Sequence, residues 1–267
     1  RGLVHENQSG AREKRAILEA GGAGVALLDL NSDDDLDAVF AQGCDSIEAL
    51  LQGDGADLAV FSNSEGSFTE LPAPGLSGWW TGLATGDLDS DGDTDLVAAG
   101  FGSLRVLLQG DDGALKPGAE LLAPGELLSE RGAPAWCTSV ATLDADQDGH
   151  LDLYVSNVGG QDRLYKNNGN GGFTDVTTSA GVSCSSSTSG TWADYDREGD
   201  LDLLVAPQSG VNLLYRNEGS GTFIEVGASA GVNDSSNWEG VAWGDDVDNG
   251  AGVGAGGVAT IAGRAGY

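Results

Sequence analysis

The sequence predicts an all-β fold, a β-propeller of four-stranded antiparallel blades, with about five blades present, alone or as part of a larger ring. Three observations carry that expectation. An acidic nonapeptide recurs in phase along the 267 residues, short apolar β-forming runs flank each copy, and a Gly/Asn-rich hairpin pattern returns later in the unit. Repetition at a period of about 50 residues with several short strands per unit is the sequence form of a blade.

Four segments align without gaps: DLNSDDDLDAVF from Asp29, DLDSDGDTDLVA from Asp87, DADQDGHLDLYV from Asp144 and DYDREGDLDLLV from Asp194. A fifth, WGDDVDNG around Asp245, starts the same way and then departs; the spacings are 58, 57, 50 and 51 residues. The runs GVALLDL, GLATGDL, SVATLDA, GTWADYD and GVAWGDD lead into the copies and predict strand A, while the β-formers that follow the first four predict strand B. FSNSEGSFTEL, LYKNNGNGGFTDV and LYRNEGSGTFIEV read as strand C, a Gly/Asn turn and strand D. A single domain spans residues 1–267, with units starting near 22, 80, 137, 188 and 238 and a degenerate tail over 250–267. Helical periodicity is confined to AREKRAILEA, Ala11 to Ala20, where one or two turns are expected in a loop.

The loop between strands A and B carries the chemistry. In D-x-D-x-D-G-D-x-D, carboxylates at positions 1, 3 and 5 converge on one centre, Gly at 6 permits the sharp turn, and a backbone carbonyl at 7 and a carboxylate at 9 complete an oxygen cage. Such a cage suits Ca²⁺, which takes 6–8 oxygens in flexible geometry, whereas Zn²⁺ seeks His or Cys and Mg²⁺ a more hydrated octahedron. About four Ca²⁺ sites are expected. The candidate ligands are Asp29, Asn31, Asp33, Asp35 and Asp37; Asp87, Asp89, Asp91, Asp93 and Asp95; Asp144, Asp146, Asp148, His150 (through its carbonyl) and Asp152; and Asp194, Asp196, Glu198, Asp200 and Asp202. Asn31 and Asp34 make the first turn more strained, Glu198 lengthens one ligand of the fourth, and Val247 with Val253 leaves the fifth empty or degenerate. An EF-hand is excluded, because position 12 holds Phe40, Ala98, Val155 and Val205 in place of a bidentate Glu.

Charge sharpens the argument. Against 12 Lys and Arg stand 42 Asp and Glu, a formal net charge of −30, and 19 of the acids lie within the four nonapeptides. So much carboxylate in short loops repels strongly without cations. The same charge opposes nucleic acid and anionic lipid. With 40% hydrophobic residues the chain can build a core, no apolar run is long enough to span a membrane, and no N-terminal signal segment is expected within it.

Other residues give weaker signals. Trp80, Trp136 and Trp238 lie 7, 8 and 7 residues before their loops, with Trp79 beside Trp80, at the end of the blade opposite the acidic loops. They are candidates for an aromatic ligand face, or for packing between blades. Cys137 and Cys184 precede strand A in successive blades and could pair, leaving Cys44 over. His5 lacks a nucleophile motif beside it, and most acids are assigned to metal, so no catalytic residue is named and enzymatic activity is not expected. Asn7 and Asn233 stand in N-x-S sequons, acceptors in a eukaryotic secretory setting.

GLVHENQSG from Gly2, GGAGVALLDLN from Gly21 and DRLYKNNGNGGFTDVTTSAGV from Asp162, with the Asp-rich loops, resemble the FG-GAP/VCBS repeats of integrin α-subunit propellers and many bacterial secreted proteins. They are most similar to the cartilage-acidic-protein (ASPIC/UnbV-type) group, over most of residues 2–250. Two departures stand out: Gly2-Leu3 matches the pattern where it already leaves a blade's last strand, and GAGVGAGGVATIAGRAGY replaces the expected acidic loop after Asn249. The resemblance implies calcium-stabilised blades, a secreted, extracellular-surface or periplasmic setting, and no particular catalytic activity. The expected role is a non-catalytic protein-interaction, structural or adhesion module, or an accessory subunit, with a protein partner or an extracellular glycan. A lectin using the Trp-bearing face is the alternative, and a hydrolase or lyase a more distant one.

Overall fold

A computed structural model describes residues 24–44, 50, 54–122 and 136–233. The Ala11–Ala20 segment, His5, Asn7, Trp238, the unit around Asp245 and the 250–267 tail lie outside the described residues.

Among the described residues, sixteen strands form four antiparallel sheets of four, each in simple up-and-down order. Blade 1 contains β1 (Val25–Leu28), β2 (Asp37–Phe40), β3 (Ala59–Ser64) and β4 (Ser67–Leu71). Blade 2 contains β5 (Trp80–Gly86), β6 (Asp95–Gly100), β7 (Ser103–Gln109) and β8 (Leu115–Leu122). Blade 3 contains β9 (Trp136–Leu143), β10 (Asp152–Val158), β11 (Arg163–Asn167) and β12 (Phe173–Asp175). Blade 4 contains β13 (Ser187–Ala193), β14 (Asp202–Pro207), β15 (Leu213–Asn217) and β16 (Phe223–Glu225). A short helix, α1 (Gly227–Ala230), follows β16 and ends at Gly231, whose φ of 76° supplies the left-handed cap. Among the described residues no helix is long and apolar enough to cross a membrane.

The second strand of each blade explains the core. Its side chains alternate, and both faces are covered, so an unbroken apolar run is what the position requires. Leu96 and Ala98 pack with Val39, Val60 and Trp80 between blades 1 and 2. Val97 and Ala99, one residue out of phase, pack with Val140, Leu153 and Val155 between blades 2 and 3. Leu203 and Val205 meet Tyr154 and Leu164 between blades 3 and 4. Burying each such side chain contributes about 1.5–3 kcal/mol.

The first strands of successive blades touch: β1 meets β5, β5 meets β9 and β9 meets β13. A repeated irregularity ties them. The pairing of strands A and B slips at Thr81, Thr138 and Thr188, each six residues before its loop. Thr81 Oγ1 donates to the Cys137 carbonyl of the next blade at 2.6 Å, and Thr138 Oγ1 lies 3.3 Å from the Ser187 carbonyl. A bulge thus turns a strand hydroxyl outward as a cross-blade donor.

Candidate metal centres

The four acidic loops join the first and second strands of their blades and share one backbone. Position 4 takes positive φ in all of them: Ser32 at 57°, Ser90 at 65°, Gln147 at 59° and Arg197 at 66°. Position 6 does so again, with Gly92, Gly149 and Gly199 at 91–97° and Asp34 at 68°. Asp tolerates this region better than most residues, so the first loop keeps the turn at some cost in strain.

The position 1 carboxylate folds inward. Asp144 accepts the backbone N–H of Asp148 at 3.1 Å and of Gly149 at 3.0 Å. Asp194 does the same with Glu198 and Gly199, and Asp29 with Asp33 and Asp34. Asp87 takes Ser90 and Gly92. Position 5 closes a smaller turn, Asp91 accepting from Asp93 and Asp148 from His150.

The position 9 aspartates, Asp37, Asp95, Asp152 and Asp202, are buried. One oxygen of each accepts the N–H of loop position 2 (Leu30, Leu88, Ala145, Tyr195) at 2.8–3.0 Å. The other accepts an N–H from strand C (Asn63, Gln109, Asn167, Asn217) at 2.6–2.8 Å. This carboxylate therefore pins the loop to the sheet as well as facing its centre. Burial pushes Asp95, Asp152 and Asp202 up to about 6, against those N–H donors and with the neighbouring carboxylates adding to it.

Positions 1, 3 and 9 converge. Asp87, Asp89 and Asp95 each offer an oxygen within 4.8 Å of the others, as do Asp144, Asp146 and Asp152, and Asp194, Asp196 and Asp202. The first loop, with Asn31 at position 3, forms no such carboxylate trio among the described residues. Asp91, Asp93, Asp148, Glu198, Asp200, Asp33 and Asp35 lie outside the trios. Oδ1 of Asp89, Asp146 and Asp200 are buried without a hydrogen-bond partner. A carboxylate oxygen in that state is costly unless a cation meets it. The three trios could hold a metal ion, and an all-oxygen donor set fits a hard divalent cation.

The second and third loops are each roofed by the next blade. A Cβ on Gly171 would lie 3.5 Å from the Asp89 Cβ, and one on Gly221 3.0 Å from the Asp146 Cβ; both glycines have φ of 72°. The turns read from sequence only as hairpin connections thus cap the carboxylates of the preceding blade. Strand C adds a clamp. Asn167 Nδ2 donates to the Leu88 carbonyl of blade 2 and to Leu151 of its own loop, both at 2.9 Å. Asn217 Nδ2 donates to Ala145 of blade 3 at 2.8 Å and to Leu201 at 3.2 Å. Neighbouring loops also touch: Ser90 Oγ lies 3.1 Å from His150 Nδ1, and Gln147 Nε2 donates to the Gly199 carbonyl at 2.9 Å. The recurrent Asn of LYKN and LYRN was the sequence signal for the clamp.

At the opposite blade end the aromatic candidates need correction. Trp79 and Trp80 are 2% and 1% exposed, so they offer no open ring to a ligand. Trp80 belongs to the core between blades 1 and 2, and its Nε1 donates to the Ala56 carbonyl at 3.0 Å. Trp136 is half-buried and bridges to Phe101 of blade 2. Cys137 and Cys184 do not pair; both are buried thiols, which burial pushes up to about 12. Asp162, which sequence reasoning did not single out, is buried there and accepts from Tyr154 Oη at 2.7 Å and Asn157 N–H at 2.9 Å.

Against known proteins, no curated sequence matches this chain. Among solved structures it is similar to BBS1N in complex with ARL6DN (13% identity, TM-score 0.49, covering 75% of this chain and 55% of that one). It is also similar to an Agrocybe aegerita lectin that recognises non-reducing terminal N-acetylglucosamine (20%, 0.43, 74% and 49%). A third is the V. cholerae biofilm matrix protein Bap1 (17%, 0.37, 75% and 38%). The chain spans about half or less of the length of these structures. Residues 87–155 and 144–205, which contain three of the four acidic loops, match the FG-GAP-like repeat and support that repeat family for the blades they cover.

Proposed function

We propose that the chain is a calcium-binding β-propeller of the cartilage-acidic-protein type, secreted or periplasmic, acting as a non-catalytic module that presents a rigid surface to a protein partner. The observation that carries the reading is the carboxylate trio at one place in three successive blades, two of which include a buried oxygen, Oδ1 of Asp89 and of Asp146, that no donor meets. Asp87, Asp89 and Asp95 would hold one ion, Asp144, Asp146 and Asp152 a second, and Asp194, Asp196 and Asp202 a third. A bound calcium ion supplies the positive charge that the carboxylates of each loop lack. The chain's own residues do the rest. Position 9 fixes the loop to strand C, the hairpin glycines let the next blade close over it, and the Asn167 and Asn217 clamps join loop to neighbour. An extracellular setting is consistent with modules of this kind, whose sites fill at about 10⁻⁴–10⁻³ M calcium.

The non-catalytic reading is supported by the use made of the acids. The carboxylates at positions 1 and 9 are engaged with backbone N–H groups, and Asp162 is sealed in the core. The burial of Trp79 and Trp80 favours a protein partner over a glycan, because stacking on a sugar needs an exposed ring. The test is calorimetric: full chain stripped of metal is titrated with calcium and melted with and without it. Uptake of about three ions with a rise in Tm is expected, and no uptake with an unchanged melt overturns the proposal.

A further inference from the structure

One position on strand C separates the three trios. The registers pair Leu96 with Leu107, Leu153 with Tyr165 and Leu203 with Tyr215, so Leu108, Lys166 and Arg216 occupy equivalent places one residue further on. Leu108 brings no charge. Arg216 turns to Glu218 in its own hairpin, its Nε donating at 2.8 Å. Lys166 turns the other way, into the acidic loop of its own blade. Its ammonium contacts Asp146 and lies 2.8 Å from Asp148 Oδ2, while the Asp146 side chain is only 13% exposed.

We propose that Lys166 is an internal counter-ion of the third loop, which occupies the ground beside Asp146 and Asp148 and must withdraw before a divalent ion takes Asp146. The third loop then binds metal more weakly than its carboxylate set alone dictates, and it stays ordered when metal is scarce. An ammonium matches this role. It carries half the charge of a divalent ion and donates to two carboxylates, yet leaves Asp146 Oδ1 without a partner. There is room for exchange, since Lys166, Asp146 and Asp152 line a cavity of about 230 Å³ that reaches Ser220 and Thr222 of the next hairpin. Lys is also suited to move, its charge sitting on a flexible stem. The inference rests on the reading that these loops hold calcium.

The experiment is calcium titration of the metal-stripped full chain by calorimetry, for the wild type, Lys166→Met, Lys166→Gln and Asp89→Asn, each with a melt in chelator. For both Lys166 variants, one class of sites is expected to tighten by about tenfold or more, the scale of a lost charge-assisted hydrogen bond. Their melts in chelator are expected to fall below wild type, because the counter-ion is gone. Asp89→Asn is expected to lose one site without altering the others. Titrations of both Lys166 variants that match the wild type, with Asp89→Asn one site short, overturn this inference and leave the calcium reading intact. No calcium uptake by any form overturns the functional reading, and this inference with it.

Discussion

Asn167 in blade 3 donates its side-chain amide to the carbonyl of Leu88 in blade 2, at 2.9 Å and out of solvent. The same Nδ2 holds Leu151 in its own loop, and the backbone N–H of Asn167 holds Asp152. One residue therefore ties two acidic loops to a single strand end. Asn217 repeats the arrangement one blade later, and in blade 2 Gln109 Nε2 reaches the carbonyls of Asp29 and Leu30 at 3.3 Å. Each of these clamps takes a carbonyl that the preceding loop presents in its folded turn.

Asn167→Ala removes two donors and leaves the buried Leu88 carbonyl unpaired. An unmade hydrogen bond at a buried group costs about 1–3 kcal/mol. Urea denaturation should show a loss of that size, against a change within about 0.5 kcal/mol for Thr178→Ala, whose side chain is exposed. Equal midpoints for the two variants would show that the clamp contributes nothing.

Thr81→Val tests the bulge. The methyl replaces a hydroxyl that reaches the Cys137 carbonyl of the next blade at 2.6 Å and the Ala99 carbonyl of its own at 3.3 Å. Shape is nearly kept, so the loss reads the hydrogen bonds, about 1–2 kcal/mol by the same denaturation. A neutral result would place the blade contact in apolar packing alone.

The blade architecture was legible because its signals are local: a nine-residue acidic loop, the apolar runs on either side and the turn glycines recur in phase. The loop backbone was legible too, down to the turn at position 6. What could not be read was any contact between units. Asn167 and Leu88 are 79 residues apart, and Lys166 lies 18 residues from Asp148, so only the strand register brings them together. The tryptophans stayed open between a ligand face and packing between blades for a related reason. Spacing placed them at the blade end opposite the loops, but whether a ring there meets solvent or the adjoining blade is decided by that blade, as at Trp80, which packs with blade 1.

Metal-free protein should be more stable in mild acid than at neutral pH. Burial raises Asp95, Asp152 and Asp202 to about 6, above the roughly 3.9 of an unfolded Asp. A group whose pKa is higher in the folded state contributes stability that is complete below the unfolded value and is lost as pH rises through the folded one. The window is therefore about pH 4 to 6. Urea midpoints in calcium-free buffer should be higher at pH 5 than at pH 7.5. With saturating calcium the order should reverse, since protons then compete with the ion for the same oxygens. A midpoint that climbs from pH 5 to 7.5 without calcium would contradict the burial of these carboxyls.

Positions 3 and 9 of one loop should answer oppositely to the same substitution. At Asp95 both oxygens accept backbone N–H groups, from Leu88 and Gln109 at 2.8 Å. Asp95→Asn replaces one acceptor by an NH₂ facing a donor, so the loop loses its anchor whether or not metal is present. A loss of about 2–3 kcal/mol is expected in chelator, and a larger one in calcium, because Asp95 is also one of the three carboxylates placed to hold the ion. Asp89 is different. Its Oδ1 is buried without a partner, and burial together with the nearby Asp91 carboxylate raises its pKa, so in the absence of metal the ionised group is unfavourable there. Asp89→Asn removes that charge and should leave the chelated protein as stable as the wild type or slightly more so. The gain in Tm on adding calcium should shrink by the share of one site. Measured as Tm with and without calcium, Asp95→Asn should lower both curves and narrow the gap between them, and Asp89→Asn should only narrow the gap. If Asp89→Asn instead lowers the melt in chelator as far as Asp95→Asn does, position 3 is holding the fold together rather than waiting for a cation.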